Sequence, residues 1–546
     1  MHRRSVTTSV AAFALVTFLA GCSGSVPAGS DATAAAEAAP SAFGPTVSAG
    51  DIAEETHYDD DDLIWDAADE VPVALGGAEA RSGVEVDGGT VTLAAAGTYR
   101  LSGSLADGQV VVAAGKEDLV RVILDGVDLT SSSGSPFVIT SANEVMVYLE
   151  DGTSNTLRDA ATYADTADDA PDAALYSMED LTIAGRGTLA VEGNAADGIV
   201  SKDGLVLAGG GVTVNAAGNG IKGKDYVVLA GGRYAVTAAG DGVKSTNDED
   251  ADRGWFSIYG GELAVSSGDD GVKAETLLTV NGGAVTVSES AEGMEAAHIA
   301  INGGSVDVTA SDDGINAAGG SSASAETGGG DVGGGVAGPA GGEGSMPEPP
   351  ATPEGGMAPG PVPPSGEFPA EGPLGPGGGE MEVGDYSIVI TGGTVTANAD
   401  GDGLDSNGTA TISGGTVVVH GPTSNGNGAL DVNGSLTVDG GTLLAGGSAG
   451  MAQAPSDTSS QSGVQFTFGS TVAAETLIRI AAADGTVVAS FTALKDTASV
   501  IYSAADISAG AAYTAYTGGT EGTLDGAEDA GTATGGEYSP GFAPGF

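Results

Sequence analysis

Cysteine, histidine, aromatic residues and positive charge are all scarce in this chain of 546 residues. A single Cys excludes a disulfide framework and any Cys-based zinc or iron–sulfur site. Four scattered His (His2, His57, His298 and His420) argue against histidine-rich metal catalysis. Aromatic residues make up only 5% of the chain, which leaves few candidates for stacking platforms. Lys and Arg number 17 against 74 Asp and Glu, a formal charge of −57. Such a field repels phosphate, so nucleic acid and anionic membrane surfaces are poor partners. What is abundant is Gly, with 94 residues, within a chain that is 41% apolar and so too apolar for an acidic disordered polymer. The natural counter-ion of this composition is a hard cation.

The first residues give an address. Arg3 and Arg4 precede an apolar stretch from Val10 to Ala20, followed by the string LAGC ending at Cys22. A charged start, a short apolar core and small residues at the cut describe a signal peptide. The stretch is too short for a lasting transmembrane helix. LAGC places the sole Cys where bacterial lipoproteins are cleaved and lipidated, so residues 1–22 read as a lipoprotein signal with its lipobox. The expectation is a protein held at the extracellular face of the bacterial membrane by lipid on Cys22. Residues 23–65 read as a flexible tether, and the run Asp59 to Asp62 within them as solvated charge.

A repeat organises the middle of the chain. An apolar residue, one variable residue and Gly-Gly recur from Leu207, Leu229, Ile258, Val280, Ile301, Ile390, Ile412 and Val438, in steps of 22, 29, 22, 21, 89, 22 and 26. Around them run alternating pairs such as Val212/Val214 and Leu263/Val265. A third column, Ile199, Ile221, Val243, Val272, Met294, Ile315 and Leu404, follows an Asp-Gly, Asn-Gly or Glu-Gly. Period-2 alternation separated by Gly turns predicts short strands. Units of about 22 residues are too short for strand–helix–strand units or propeller blades. The expected fold is all-β: a parallel β-helix, a solenoid with three faces per coil, over residues 66–460. The 29-step holds an acidic loop, and the 89-step holds about 67 extra residues, 319–384, with 12 of the 22 Pro. That Gly/Pro-rich insert is expected to be disordered. Residues 461–520 predict a small C-terminal β cap, and residues 521–546 a disordered tail.

Three features could carry chemistry. Asp197, Asn219, Asp241, Asp270, Glu292, Asp313 and Asp402 form a corner column, each followed by Gly. Turn chemistry with a left-handed Gly explains much of it. Stacked like charges nevertheless call for protons, lysines or cations. Ca²⁺ accepts six to eight oxygens in forgiving geometry, and Asp241, Asn247, Asp248, Asp250, Asp269 and Asp270 offer such a set. Two residues after the corner Gly, Lys222, Lys244 and Lys273 form a short ladder that Glu295, Asn316 and Asp405 continue. The lysines either relieve the acidic column, receive sugar carboxylates, or supply a base. Trp255, Tyr259, Tyr226 and Tyr234 are either packing residues or a stacking site for sugar.

Several stretches resemble a bacterial family of extracellular carbohydrate-binding domain proteins: LADGQVVV, VRVILDGVDLTSSSGSPFVI, the run from NAADGIVSKDGLVL through GNGIKGKDYVVL to GDGVKSTNDEDADRGWFSIYGG, and YTAYTGGT. The resemblance spans about Asp66 to Thr520. It implies a right-handed parallel β-helix similar to calcium-dependent pectate lyases, bound Ca²⁺, and affinity for polygalacturonate-like acidic polysaccharides and for cellulose. The family's calcium positions match here at Asp241, Asp248, Asp250 and Asp270, while Glu292 and Asn219 depart from the pattern. The combined expectation is a monomeric, lipid-anchored, non-enzymatic protein. Asp241, Asp248, Asp250, Asp269 and Asp270 would hold Ca²⁺; Lys222, Lys244, Lys273, Trp255 and Tyr259 would meet the polysaccharide. The alternatives are a calcium-dependent polysaccharide lyase with a lysine base, and a surface adhesin or spacer.

Overall fold

The computed structural model describes residues 52, 55–167, 169–319, 383–520 and 522–539, all within one compact unit spanning residues 41–546. The lipobox Cys22 and nearly all of the Gly/Pro-rich insert lie outside the described residues. Among the described residues the helical content is three 3₁₀ turns, Asp60–Leu63, Ala67–Asp69 and Leu75–Gly77. The rest of the regular structure is β, in sheets of 25, 13 and 4 strands.

Each repeat contributes three strands in rotation, and each strand pairs in parallel with its equivalent in the next repeat. In one repeat these are Tyr226–Leu229, Arg233–Ala238 and Val243–Ser245; in the next they are Trp255–Ile258, Glu262–Ser267 and Val272–Lys273. The pairings Val227↔Phe256, Tyr234↔Leu263 and Val243↔Val272 put like positions on like. We call the three stacks ladders one, two and three. The alternating sequence turns every second side chain inward. The inward residues of all three ladders, among them Leu229, Val236, Val243, Phe256, Val265 and Val272, form one continuous buried core. Both long insertions leave between ladder three and the following strand of ladder one, so neither breaks the stacking: the pairings Lys244↔Lys273 and Asn316↔Asp405 bridge them.

The two kinds of glycine do different work. The second Gly of each Gly-Gly turn between ladders one and two is left-handed, as at Gly232 with φ +88°. A Cβ there would also lie 2.8 Å from the carbonyl carbon of Gly209. Gly232→Val therefore meets both a forbidden dihedral and a backbone wall. We expect a loss of about 2–4 kcal/mol, read from the urea midpoint; a midpoint unchanged from the parent would contradict this. The corner Gly after each acid was expected to be left-handed as well, and it is not. Its role is close packing, since a Cβ on Gly242 would sit 2.3 Å from Val265 Cγ1 and 2.5 Å from Gly271 O.

Two boundaries differ from the sequence reading. The expected tether of residues 23–65 does not hold for its described part, residues 52 and 55–65. Residues 55–63 lie on the outer face of ladder one, where Tyr58 and Ile52 join Met146, Val206, Tyr226 and Val228 in an apolar cluster. The Asp59–Asp62 run is not simply solvated. Asp59 caps the turn Asp60–Leu63, and Asp62 is buried. At the other end, the tail expected to lack structure supplies the strand Glu528–Thr534, antiparallel to Ala512–Thr517. It completes a four-stranded antiparallel sheet with Leu477–Ala482 and Val487–Thr492. The strand Thr497–Ser503 runs antiparallel to Thr442–Gly447, ending the parallel stack.

Candidate cation and glycan site

The corner between ladders two and three carries the acid column and, beside it, the middle residues of ladder three. Those middle residues are consecutive Cα partners: Lys222, Lys244, Lys273, Glu295, Asn316, Asp405 and Asp431. Outward side chains at one strand spacing, about 4.8 Å, are thus forced into contact along the stack.

The acids serve the backbone first. Asp197 Oδ1 accepts the N–H of Asn219 at 2.7 Å, Asn219 Oδ1 that of Asp241 at 3.1 Å, and Asp241 Oδ1 that of Asp270 at 3.1 Å. Further along, Asp313 Oδ1 accepts from Asp402 N at 2.6 Å and Asp402 Oδ1 from Gly428 N at 2.5 Å. These five corner side chains thereby satisfy a donor of the next rung, which explains Asp and Asn at those positions. The second oxygen of each carboxylate is left for other partners.

In the first half of the column those partners are lysines. Lys222 pairs with Asp197, Lys244 Nζ lies 2.5 Å from Asp241 Oδ2, and Lys273 Nζ lies 2.8 Å from Asp270 Oδ2 and also meets Glu295. All three lysines are engaged by carboxylates. Burial pushes Asp270 upward, the neighbouring Glu295 adds to this, and Lys273 opposes it. Lys273 itself is held above the ordinary lysine range, because the pull of Asp270 and Glu295 outweighs its own burial. Lys273→Met would leave two largely buried carboxylates without their cation. We expect it to destabilise the chelator-treated protein at neutral pH by about 2 kcal/mol, the lysine being partly solvated. A denaturant midpoint equal to that of the parent would show that the pair contributes nothing.

Two sets of acids come close enough to share an ion. Ligand oxygens of Asp241, Asp269 and Asp270 lie within 4.8 Å of one another, as do those of Asp270, Glu292 and Glu295. Three of the five residues expected to hold a metal are therefore together. Asp248 and Asp250 are not part of either cluster. The buried Asn247 turns the loop by accepting from Glu249 N and Asp250 N and by donating to Asp225 Oδ1 at 2.7 Å, and both acids are exposed. As a donor set, hard carboxylate oxygens at this separation suit a divalent ion such as Ca²⁺.

The aromatic candidates lie elsewhere. Trp255 stacks on Tyr226 in ladder one, with centroids 4.8 Å apart and planes 12° apart. Trp255 and Tyr259 pack against the cluster that the N-terminal segment covers. The hydroxyl of Tyr226 is taken by the backbone N–H of His57 at 2.9 Å. The structure thus brings the three lysines together with the acids and sets the aromatics on a different ladder. Glu292 and Glu295 lie at the corner where the sequence columns put them, and Asp431, which the sequence reading did not reach, extends the ladder-three column.

Against this geometry stand the comparisons with known proteins. Residues 87–335 match the family model described as carbohydrate-binding domain-containing protein. That interval holds all of the lysine column and both acid clusters. A carbohydrate-binding domain-containing protein of Acetivibrio thermocellus is 36% identical over 172 residues, which is 31% of this chain and 56% of the relative. The chain thus spans just over half the length of that relative. A solved structure titled as the polysaccharide lyase-like protein from C. thermocellum, a gadolinium derivative, is 33% identical, covering 43% of this chain and 92% of that one, with a TM-score of 0.39.

Proposed function

We propose that this chain is a surface-anchored lipoprotein, lipidated at Cys22, whose right-handed parallel β-helix binds acidic polysaccharide in a calcium-dependent manner without cleaving it. The observation that carries the reading is the Asp241–Asp269–Asp270 cluster inside the segment matched to carbohydrate-binding domains. Asp241 and Asp270 are buried, Asp241 accepting the backbone N–H of Asp270 and Asp270 pairing with Lys273, while Asp269 is exposed. These residues would hold Ca²⁺, with water and sugar oxygens completing its shell. Bound there, the ion supplies the positive centre that uronate carboxylates need on a protein of charge −57. Lys244 and Lys273, paired with Asp241 and Asp270, hold those side chains in place.

Binding is favoured over elimination by the state of Lys273. A general base must give up its proton near the working pH, and the paired carboxylates stabilise the charged ammonium instead. In a sedimentation assay with insoluble polygalacturonate, the full chain is expected to pellet with calcium and to stay in solution in excess chelator. Pelleting that persists in chelator would refute cation bridging. Formation of unsaturated sugar at alkaline pH would instead establish a lyase.

A further inference from the structure

The outer face of ladder one is apolar where a solvated face would be polar. Met146, Val206, Tyr226 and Val228 are buried there, yet they belong to a cluster separate from the core inside the stack. What covers them is the segment 55–63 together with Ile52. That segment is fastened by side chains rather than by a ladder, its own backbone bonds closing turns within itself. His57 donates its backbone N–H to the Tyr226 hydroxyl at 2.9 Å, and its Nδ1 lies 2.7 Å from the same hydroxyl. Its Nε2 lies 2.8 Å from Thr182 Oγ1. Further on, Arg121 donates to the backbone oxygens of Asp62 at 2.7 Å and Asp61 at 2.9 Å.

The remaining contact joins two acids. Asp62, 5% exposed, meets Glu144, 6% exposed, on the first residue of the strand Glu144–Leu149. Asp62 Oδ2 already accepts the N–H of Asp59 at 2.6 Å, and Glu144 Oε1 is buried without a hydrogen-bond partner. Two carboxylates in contact away from water do not both ionise, so the pair retains a proton. Burial holds Glu144 well above the ordinary carboxylate range, and Asp62 and then Asp180 add to this. Arg121 opposes it least, its guanidinium being spent on backbone oxygens. The other acids of the segment, Glu55, Asp59 and Asp61, are exposed. At its far end His57 Nδ1 lies 3.2 Å from Asp180, and Asp203 and Arg253 act on the Tyr226 hydroxyl that His57 holds.

We propose that residues 55–63 form a strap latched to ladder one by a proton shared between Asp62 and Glu144, and that losing this proton lifts the strap off the stacked Tyr226 and Trp255. Once both acids are charged they must separate. Glu144 is fixed in a strand paired on both sides, so the strap is the part that moves. It is closed in acid and opens as the pH climbs, because a carboxyl held above its unfolded value loses its contribution in that direction. His57 acts in the same sense, since only its protonated form pairs with Asp180. Opening bares Met146, Val206, Val228 and the aromatic pair, an apolar surface that the closed form hides. The inference is independent of any ion at the corner and of which glycan is bound.

The test is chymotryptic cleavage after Tyr58 in the full chain, followed from pH 5 to about 9 and normalised to an unstructured peptide of the same sequence to remove the protease's own pH profile. Cleavage of a briefly opened segment follows the population of the open form. One proton coupled to opening changes that population by up to about tenfold per pH unit. Cleavage after Tyr58 should accelerate to that extent as the pair loses its proton, with the rest of the chain uncut. In Trp65→Phe, which leaves Trp255 as the sole tryptophan, acrylamide quenching should rise over the same interval. Glu144→Gln keeps a donor toward Asp62 at every pH and should flatten both curves. Asp62→Asn does the same from the strap side and serves should Glu144→Gln fold poorly. Curves that are flat in the parent, or as steep in these variants as in the parent, would overturn the latch. So would cleavage throughout the chain at the rate seen after Tyr58.

Discussion

In chelator, the melting temperature of the protein should fall as the pH is raised from 5 to 8. Most globular proteins gain or hold stability over this interval, because their carboxylates are paired in the native state. Here the sign is reversed. Glu292 and Asp405 are pushed to about 7 and Asp203 and Asp402 to about 6, burial being the first cause in each, with like-charged neighbours adding to it. Glu144 is raised as well, by burial and by the adjacent Asp62. An acid whose native value lies above its unfolded value keeps its proton longer in the folded chain. The associated stability is complete below the unfolded value near 4 and is lost as the pH climbs through 6 to 8. With several groups acting together the decline should amount to roughly 5 °C or more. A melting temperature that is flat or rising between pH 5 and 8 in chelator would mean that these carboxylates are already neutralised within the chain.

Removing the inward Phe256 of ladder one should have a comparable effect on stability from a separate cause. Phe256 is fully buried, stacked between Val227 and Leu278. The rungs above and below are held by their own backbone ladders, so they cannot collapse into the space left behind. Phe256→Ala is expected to cost about 3–5 kcal/mol. Each repeat touches chiefly its neighbours, so the lysine corner of the same rung should loosen too, with calcium affinity falling in parallel. A loss below about 1 kcal/mol in urea unfolding would indicate that neighbouring rungs close the gap.

The stacking was legible because its signal is local and periodic. The Gly-Gly turns fix where each strand starts, and alternation fixes which side chain faces in, so Lys222, Lys244 and Lys273 fall in one column despite the longer step between the last two. The same counting carries the column on to Glu295, Asn316 and Asp405. It does not say what an outward side chain meets. The pairing of each lysine with a corner acid depends on side-chain reach, and the diversion of Asp248 and Asp250 depends on hydrogen bonds made by Asn247. The N-terminal segment was the least legible part. His57 is 169 residues from Tyr226, and nothing in the Asp59–Asp62 run signals that Asp62 is buried. The tail strand Glu528–Thr534, with Ala as its only apolar residue type, has no run of large apolar residues to mark it; the neighbouring strand Ala512–Thr517 recruits it through backbone pairing.

The most direct test of the account is the melting temperature of the full chain at pH 8 measured across a calcium titration. With the corner carboxylates ionised and closely stacked, added calcium should raise it in a saturable way, and far less at pH 5, where protons already do the neutralising. Superimposable melting curves with and without calcium at pH 8 would contradict the claim that this acidic edge is built around a divalent ion.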